Sequence, residues 1–119
     1  MANRVFCGPF DLKKEIVREK VPQKMGNYLF LSSSRVVKYV GRSDSDLQTE
    51  ILQQMDTYRA DGCTQFKYSL ADSVKDAYET ECRDYHNHGE KEKLNNRYHP
   101  DEPAGHHYPC PVEGCNHPE

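Results

Sequence analysis

Apolar positions along the chain switch between two periods. Leu12, Ile16 and Val17 recur at helical spacing within the charged segment Asp11–Lys20, which predicts a short amphipathic helix ended by Pro22. Asn27–Ser33 and Arg35–Val40 are instead rich in aromatic and branched residues, and Ser32-Ser33-Ser34 reads as the turn of a hairpin. Ser43-Asp44-Ser45-Asp46 offers helix-starting side chains, with Gln48 three residues after Ser45 as a capping box. The helix it opens runs to about Arg59 and is broken by Gly62. Thr64–Leu70 alternates around Phe66 and Tyr68 as a third strand. Asp72 or Ser73 caps a second long helix that runs to about His86 and ends at Asn87-His88-Gly89. The pattern predicts an α+β domain over residues 1–100, with its core at about 24–100. An irregular, proline-rich tail covers 101–119.

Two helical faces carry polar residues where the core belongs. Leu47, Ile51, Met55 and Tyr58 define the inner face of the first long helix, and Glu50 and Gln54 interrupt it one turn apart. In the second, Val74, Ala77, Tyr78, Cys82 and Tyr85 form a stripe that also contains Glu81, whereas Glu79 and Asp84 are expected to face outward. A carboxylate in such a stripe needs a cation or several donors to stay charged. Either Glu81 reaches solvent at the stripe edge, or it belongs to a site.

Composition narrows the classes. With 119 residues the chain is large enough for one modest core. No apolar run approaches the roughly 18 residues of a membrane helix, and no signal pattern opens the chain, so a cytoplasmic location without membrane contact is expected. Eight tyrosines and no tryptophan suit a site rimmed by phenols. Residues 1–42 hold nine Lys/Arg against three Asp/Glu, and residues 43–119 hold seven against sixteen. This asymmetry suits a protein that holds a polyanion on one side and a metal on the other, or is chance segregation on a solvated surface. An odd count of five cysteines argues against a disulfide framework, and Cys7, Cys63 and Cys82 read as small buried apolar residues.

Gly26-Asn27-Tyr28 on the first hairpin strand and Tyr39-Val40-Gly41 on the second, followed by the helix-opening Asp46-Leu47, the inner Glu81 and the late Asn95-Asn96, resemble the GIY-YIG nuclease family. The resemblance covers roughly residues 24–100. Glu81-Cys82 through Tyr85-His86, Leu94-Asn95-Asn96 and His99-Pro100 are similar to small microbial members of unassigned role. It implies a three-stranded antiparallel sheet flanked by helices and a DNA endonuclease that hydrolyses phosphodiester bonds with a divalent metal, Mg2+ or Mn2+. Tyr28 and Tyr39 would be the site tyrosines, one of them orienting the attacking water. Glu81 would be the single metal ligand and Asn96, or else Asn95, the late site asparagine; His86 would be a proton donor or phosphate contact, or else cap its helix end. Lys24, Arg35, Lys38 and Arg42 would contact DNA phosphates, with steep salt dependence. Cutting both strands would need two sites, hence a homodimer or a protein partner.

One position departs from the family pattern. Glu50 stands where the family carries an arginine, which reverses the charge facing the phosphate. It reads as a substitution made to inactivate the protein, as the mark of a non-catalytic nucleic-acid-binding or protein-interaction module on the same scaffold, or as a change offset by another cation such as Arg42 or Arg59. The tail adds a separate chemistry. Cys110 and Cys115 have the spacing of half a zinc site, and His106, His107 and His117 lie near enough in sequence to complete it. The opposing reading is a tail with free thiols; a small zinc-stabilised structural protein is a third reading of the whole chain.

Overall fold

The computed structural model describes residues 5–96 (91 and 92 by backbone only), 99–105, 107–113 and 115. Strand β1 (Cys7–Asp11) leads into helix α1 (Lys14–Lys20), then the hairpin β2 (Gly26–Ser32) and β3 (Val37–Ser43), helix α2 (Leu47–Ala60), strand β4 (Cys63–Leu70), helix α3 (Val74–Asn87) and the single turn α4 (Glu90–Lys93). The sheet has four strands in the order β1-β4-β2-β3, and every neighbouring pair is antiparallel. The expected three-stranded sheet is therefore one strand short. β1 adds to the outer side of β4 through Phe10 and Asp11 opposite Phe66 and Gln65. Cys7 is exposed on this outer strand, contrary to the expected burial, while Cys63 and Cys82 are buried.

The central strand β2 is buried along nearly its whole length because it separates two cores. Tyr28 and Phe30 face α1 and α2, where they meet Val17, Leu47, Ile51, Met55 and Phe66. Leu29 and Leu31 face the other way with Val40, against Tyr85 and Leu94. Alternation along the strand thus serves a helix layer on each side. Asn27, with no exposed surface, donates from Nδ2 to the Ala77 carbonyl at 2.9 Å and fastens β2 to α3.

Caps fix where the long helices begin. The Asp46 carboxylate accepts from Thr49 N at 3.0 Å, one residue later than the expected Ser45 box, and Ser73 Oγ accepts from Asp76 N at 3.0 Å. Two glycines are required by close approach. A Cβ on Gly26 would lie 2.4 Å from the Ser69 carbonyl oxygen, and one on Gly41 would lie 2.4 Å from the Tyr28 ring directly across the hairpin. Both glycines belong to the motifs singled out in the sequence.

Because β3 is the edge of the sheet, its outer side needs another partner. Asn96 supplies it. Its Oδ1 accepts from Val40 N at 3.0 Å and its Nδ2 donates to Val40 O at 2.8 Å, while Asn95 N donates to Lys38 O at 2.5 Å. Asn96 is thereby buried and both ends of its amide are engaged by backbone. Asn96→Ala is expected to cost about 1–3 kcal/mol, since two buried backbone groups lose their partner. Urea denaturation measures that loss, and faster hydrogen exchange at the Val40 amide localises it.

Candidate functional site

The outer edge of β3 borders a cleft between α2 and α3. Tyr39, Gly41, Arg42, Asp44, Glu50, Glu81 and Asp101 line a volume of about 240 Å³. An adjoining recess of about 320 Å³ shares Tyr39, Glu81 and Asp101 and continues past Tyr58, Asn95, Asn96, His99 and Pro100. A larger depression of about 630 Å³ lies elsewhere, where Asp11, Lys13, Asp56 and Arg59 set two charges of each sign around Cys63 and Thr64.

The strands explain this convergence. Tyr39 points from β3 to the α2 side, the face on which Gly41 leaves room for the Tyr28 ring, and Arg42 points to the α3 side and leans over the Tyr78 ring, its Cζ 5.3 Å from the centroid. Glu50 approaches from the first turn of α2 and Glu81 from the middle of α3. Tyr28 lies behind the wall: it is fully buried, and its hydroxyl donates to Glu50 Oε2 at 3.0 Å. The Tyr28 and Tyr39 rings are 5.9 Å apart, and Tyr39 stacks on Tyr58 at 4.0 Å.

Arg42 is the hub of the cleft. Its Nη1 donates to Glu81 Oε1 at 2.5 Å and its Nε to Asp44 Oδ1 at 2.9 Å. Burial works against the guanidinium charge, but the hydrogen bonds to Asp44 and the attraction of Glu81 and Asp44 outweigh it and hold Arg42 firmly protonated. For Glu81 burial dominates: it pushes the carboxyl up to about 7 even though Arg42 pulls it down. Glu50 is also raised by burial, against the hydrogen bond from Tyr28 and the pull of Arg42. Burial, the neighbouring Tyr39 and the Glu50 acceptor together keep the Tyr28 phenol well above its ordinary range. Tyr39 is raised as well, by burial and then by Tyr58 and Glu81. Both phenols are therefore held protonated at neutral pH, as donors rather than bases.

The Glu81 shift has a definite sign for stability. A carboxyl raised from its unfolded value binds its proton more tightly in the folded state. The stabilisation is complete below the unfolded pKa near 4.5 and is lost as pH rises through about 7. Between pH 5 and pH 8 the protein is expected to lose stability on the order of 2 kcal/mol that Glu81→Gln does not lose. Urea titrations of both forms at the two pH values measure this difference.

The other expected site residues fall in different places. Lys24 is exposed before β2, and Arg35 is exposed in the hairpin turn beyond the far end of the same strand. With Lys38 partly buried and Arg42 committed to two carboxylates, the four cations expected to grip DNA do not form one patch. Arg59 is half-exposed beside Asp56, and Gln54 is absent from the described cleft lining. His86 is not a cleft residue either. Its ring turns to the tail, with Nδ1 2.6 Å from Glu90 Oε2 and Nε2 3.5 Å from Cys110 Sγ. Sequence reading had not assigned Asp44, Tyr58 and Asp101 to the cleft; only Tyr58 left a trace, as the last residue of the apolar face that Glu50 and Gln54 interrupt.

A second constellation lies behind the recess. His86, His99, Cys110 and Cys115 bring four donor atoms within 4.8 Å of one another, a set that could hold a metal such as Zn2+. The two cysteines are those expected, but the histidines are not. His107 is almost fully exposed, with Nδ1 3.3 Å from Glu102 Oε2, and His106 and His117 lie outside the described residues. Among the described residues this is the one group of three or more side chains with metal-binding geometry; the cleft carboxylates do not form another.

No helix among the described residues is long and apolar enough to cross a membrane. Comparison of the chain with protein-family models, with curated proteins and with solved structures gives no match.

Proposed function

We propose that the cleft is a phosphodiester-hydrolysing site of the GIY-YIG type, acting on DNA, which Glu50 holds in an unreactive state. The observation that carries the reading is the meeting of Tyr39, Arg42, Glu50 and Glu81 in one cleft, with the Tyr28 hydroxyl on Glu50. Phosphodiester cleavage needs an oriented nucleophile, positive charge at the phosphate and help for the leaving oxygen. Tyr39, at the cleft wall, would orient the attacking water. Arg42 is the resident cation, although Asp44 and Glu81 absorb its charge. Four carboxylates, Asp44, Glu50, Glu81 and Asp101, surround that one guanidinium, so the site as it stands repels a phosphate.

Glu81 would be the single protein ligand of a hard divalent cation that keeps most of its water, Mg2+ or Mn2+, since among the described residues the cleft carboxylates do not form an all-protein cage. Such an ion would neutralise charge on the phosphate. Glu81 would hold it only after giving up part of its contact with Arg42, which frees the guanidinium to turn toward substrate. The clamp on Arg42 and the Tyr28–Glu50 bond favour a second reading, a nucleic-acid-binding or protein-interaction module without cleavage. Nicking of supercoiled plasmid with Mg2+ or Mn2+ separates the two. Cutting by Glu50→Arg that vanishes in Glu50→Arg/Glu81→Ala supports the nuclease; cutting by neither rejects it and leaves the binding module.

A further inference from the structure

We propose that His86, His99, Cys110 and Cys115 form a tetrahedral zinc site that clamps the tail to α3 and sets the rim of the cleft. Three lines of geometry converge on it. Cys110 Sγ and Cys115 Sγ each lie 3.5 Å from a histidine Nε2, of His86 and His99 respectively. Zinc bonds of about 2.3 Å to sulfur and 2.0–2.1 Å to nitrogen at tetrahedral angles place such atoms about 3.5 Å apart. Two donor pairs therefore already stand at the spacing of a common shell, and all four donors lie within 4.8 Å of one another.

The far side of each ring is prepared for the same task. His86 Nδ1 meets the Glu90 carboxylate at 2.6 Å, and His99 Nδ1 meets the Pro100 carbonyl at 2.9 Å. With a proton on each Nδ1, both Nε2 lone pairs face the thiols, the arrangement by which outer partners orient metal-bound histidines. Glu90 also explains why a histidine at the end of α3 is turned inward from solvent. Two thiolates and two imidazoles make a neutral centre with Zn2+, which suits a partly buried location. No disulfide competes among the described residues, where all five cysteines are free.

The third line is the tail itself. Among the described residues of 101–113 Pro103 alone is buried, and Tyr108 lies 6.4 Å from the Tyr78 ring with Lys75 Nζ 5.9 Å from its own centroid. A metal would join α3, the segment after α4 and the tail at a single point. The ligand His99 lines the recess beside Asn95 and Asn96, which hold the edge of β3. A metal at this point therefore positions the cleft rim without touching substrate.

The test uses the full chain without a histidine tag, and its readouts are independent of DNA cleavage. Metal analysis is expected to give about one zinc per chain. Cobalt(II) in its place is expected to give the intense ligand-field bands and thiolate charge transfer of a four-coordinate sulfur site. His107→Ala is expected to keep the metal, and His99→Ala and Cys115→Ser to lose it. Removing zinc with a chelator is expected to speed hydrogen exchange at the Val40 and Asn95 amides by at least tenfold. Zinc well below one equivalent in protein whose five thiols all titrate, or a weak six-coordinate cobalt spectrum, overturns the site. Unchanged exchange after zinc removal overturns its role at the rim. Should a ligand variant not fold, the cobalt spectrum of the unaltered chain decides alone.

Discussion

Replacing Glu50 by arginine is expected to raise Mg2+-dependent plasmid nicking at least about 100-fold, the scale on which one preorganised cationic or hydrogen-bonding group acts on a developing oxyanion. The substitution shifts the charge of a small cleft by two units. It also reverses the role of Tyr28. At present the phenol donates to a carboxylate 3.0 Å away and is held protonated. Beside a guanidinium the same oxygen accepts, and its proton is released more easily. The exchange costs about 1–2 kcal/mol of stability, because a buried hydroxyl loses its acceptor. Glu50→Gln, which removes the charge and keeps an acceptor, is expected to fall between the two. Conversion of supercoiled to open-circular DNA over time measures all three forms. A Glu50→Arg protein that folds and binds Mg2+ but cuts no faster than the unaltered chain would end the nuclease reading.

The second large effect concerns the hairpin. Gly41→Ala is expected to destabilise the protein by about 2–4 kcal/mol, the cost of forcing a group into a filled core. The new Cβ would meet three atoms of the Tyr28 ring at 2.4, 2.5 and 2.7 Å. The ring cannot retreat, since it has no exposed surface and packs on Phe30 at 4.9 Å. Combining Gly41→Ala with Tyr28→Ala is expected to cost less than the sum of the single changes, because the second removes what the first strikes. Denaturant midpoints of the four proteins complete the cycle, and strict additivity would show that the contact is not the cause.

Much of the fold was readable because its periods are clean. Leu47, Ile51 and Met55 mark α2 one turn at a time, and Ser73 and Gly62 punctuate the helix starts and stops. β1 escaped because Cys7-Gly8-Pro9-Phe10-Asp11 has no alternation and carries a proline; it exists through its pairing with β4. In the site, Tyr39 and Glu81 announced themselves by type and position. Arg42 did not, since only the packing of β3 against α3 reveals that a residue read as a DNA contact is the partner of Glu81. Asn96 was legible as a residue of note, but its task is to satisfy backbone. The histidines nearest Cys110 in sequence looked like its natural partners, yet the chain brings in His86 and His99 from α3 and the segment after α4. Ligand sets drawn from three segments leave no spacing to read.

The bracket that Asn95 and Asn96 place on β3 also guards against self-association. A seven-residue strand with Val37 and Val40 along it, once bared, offers an open ladder to any second chain. Loosening that bracket should therefore appear first as turbidity and strand-to-strand oligomers, while the rest of the molecule is still folded.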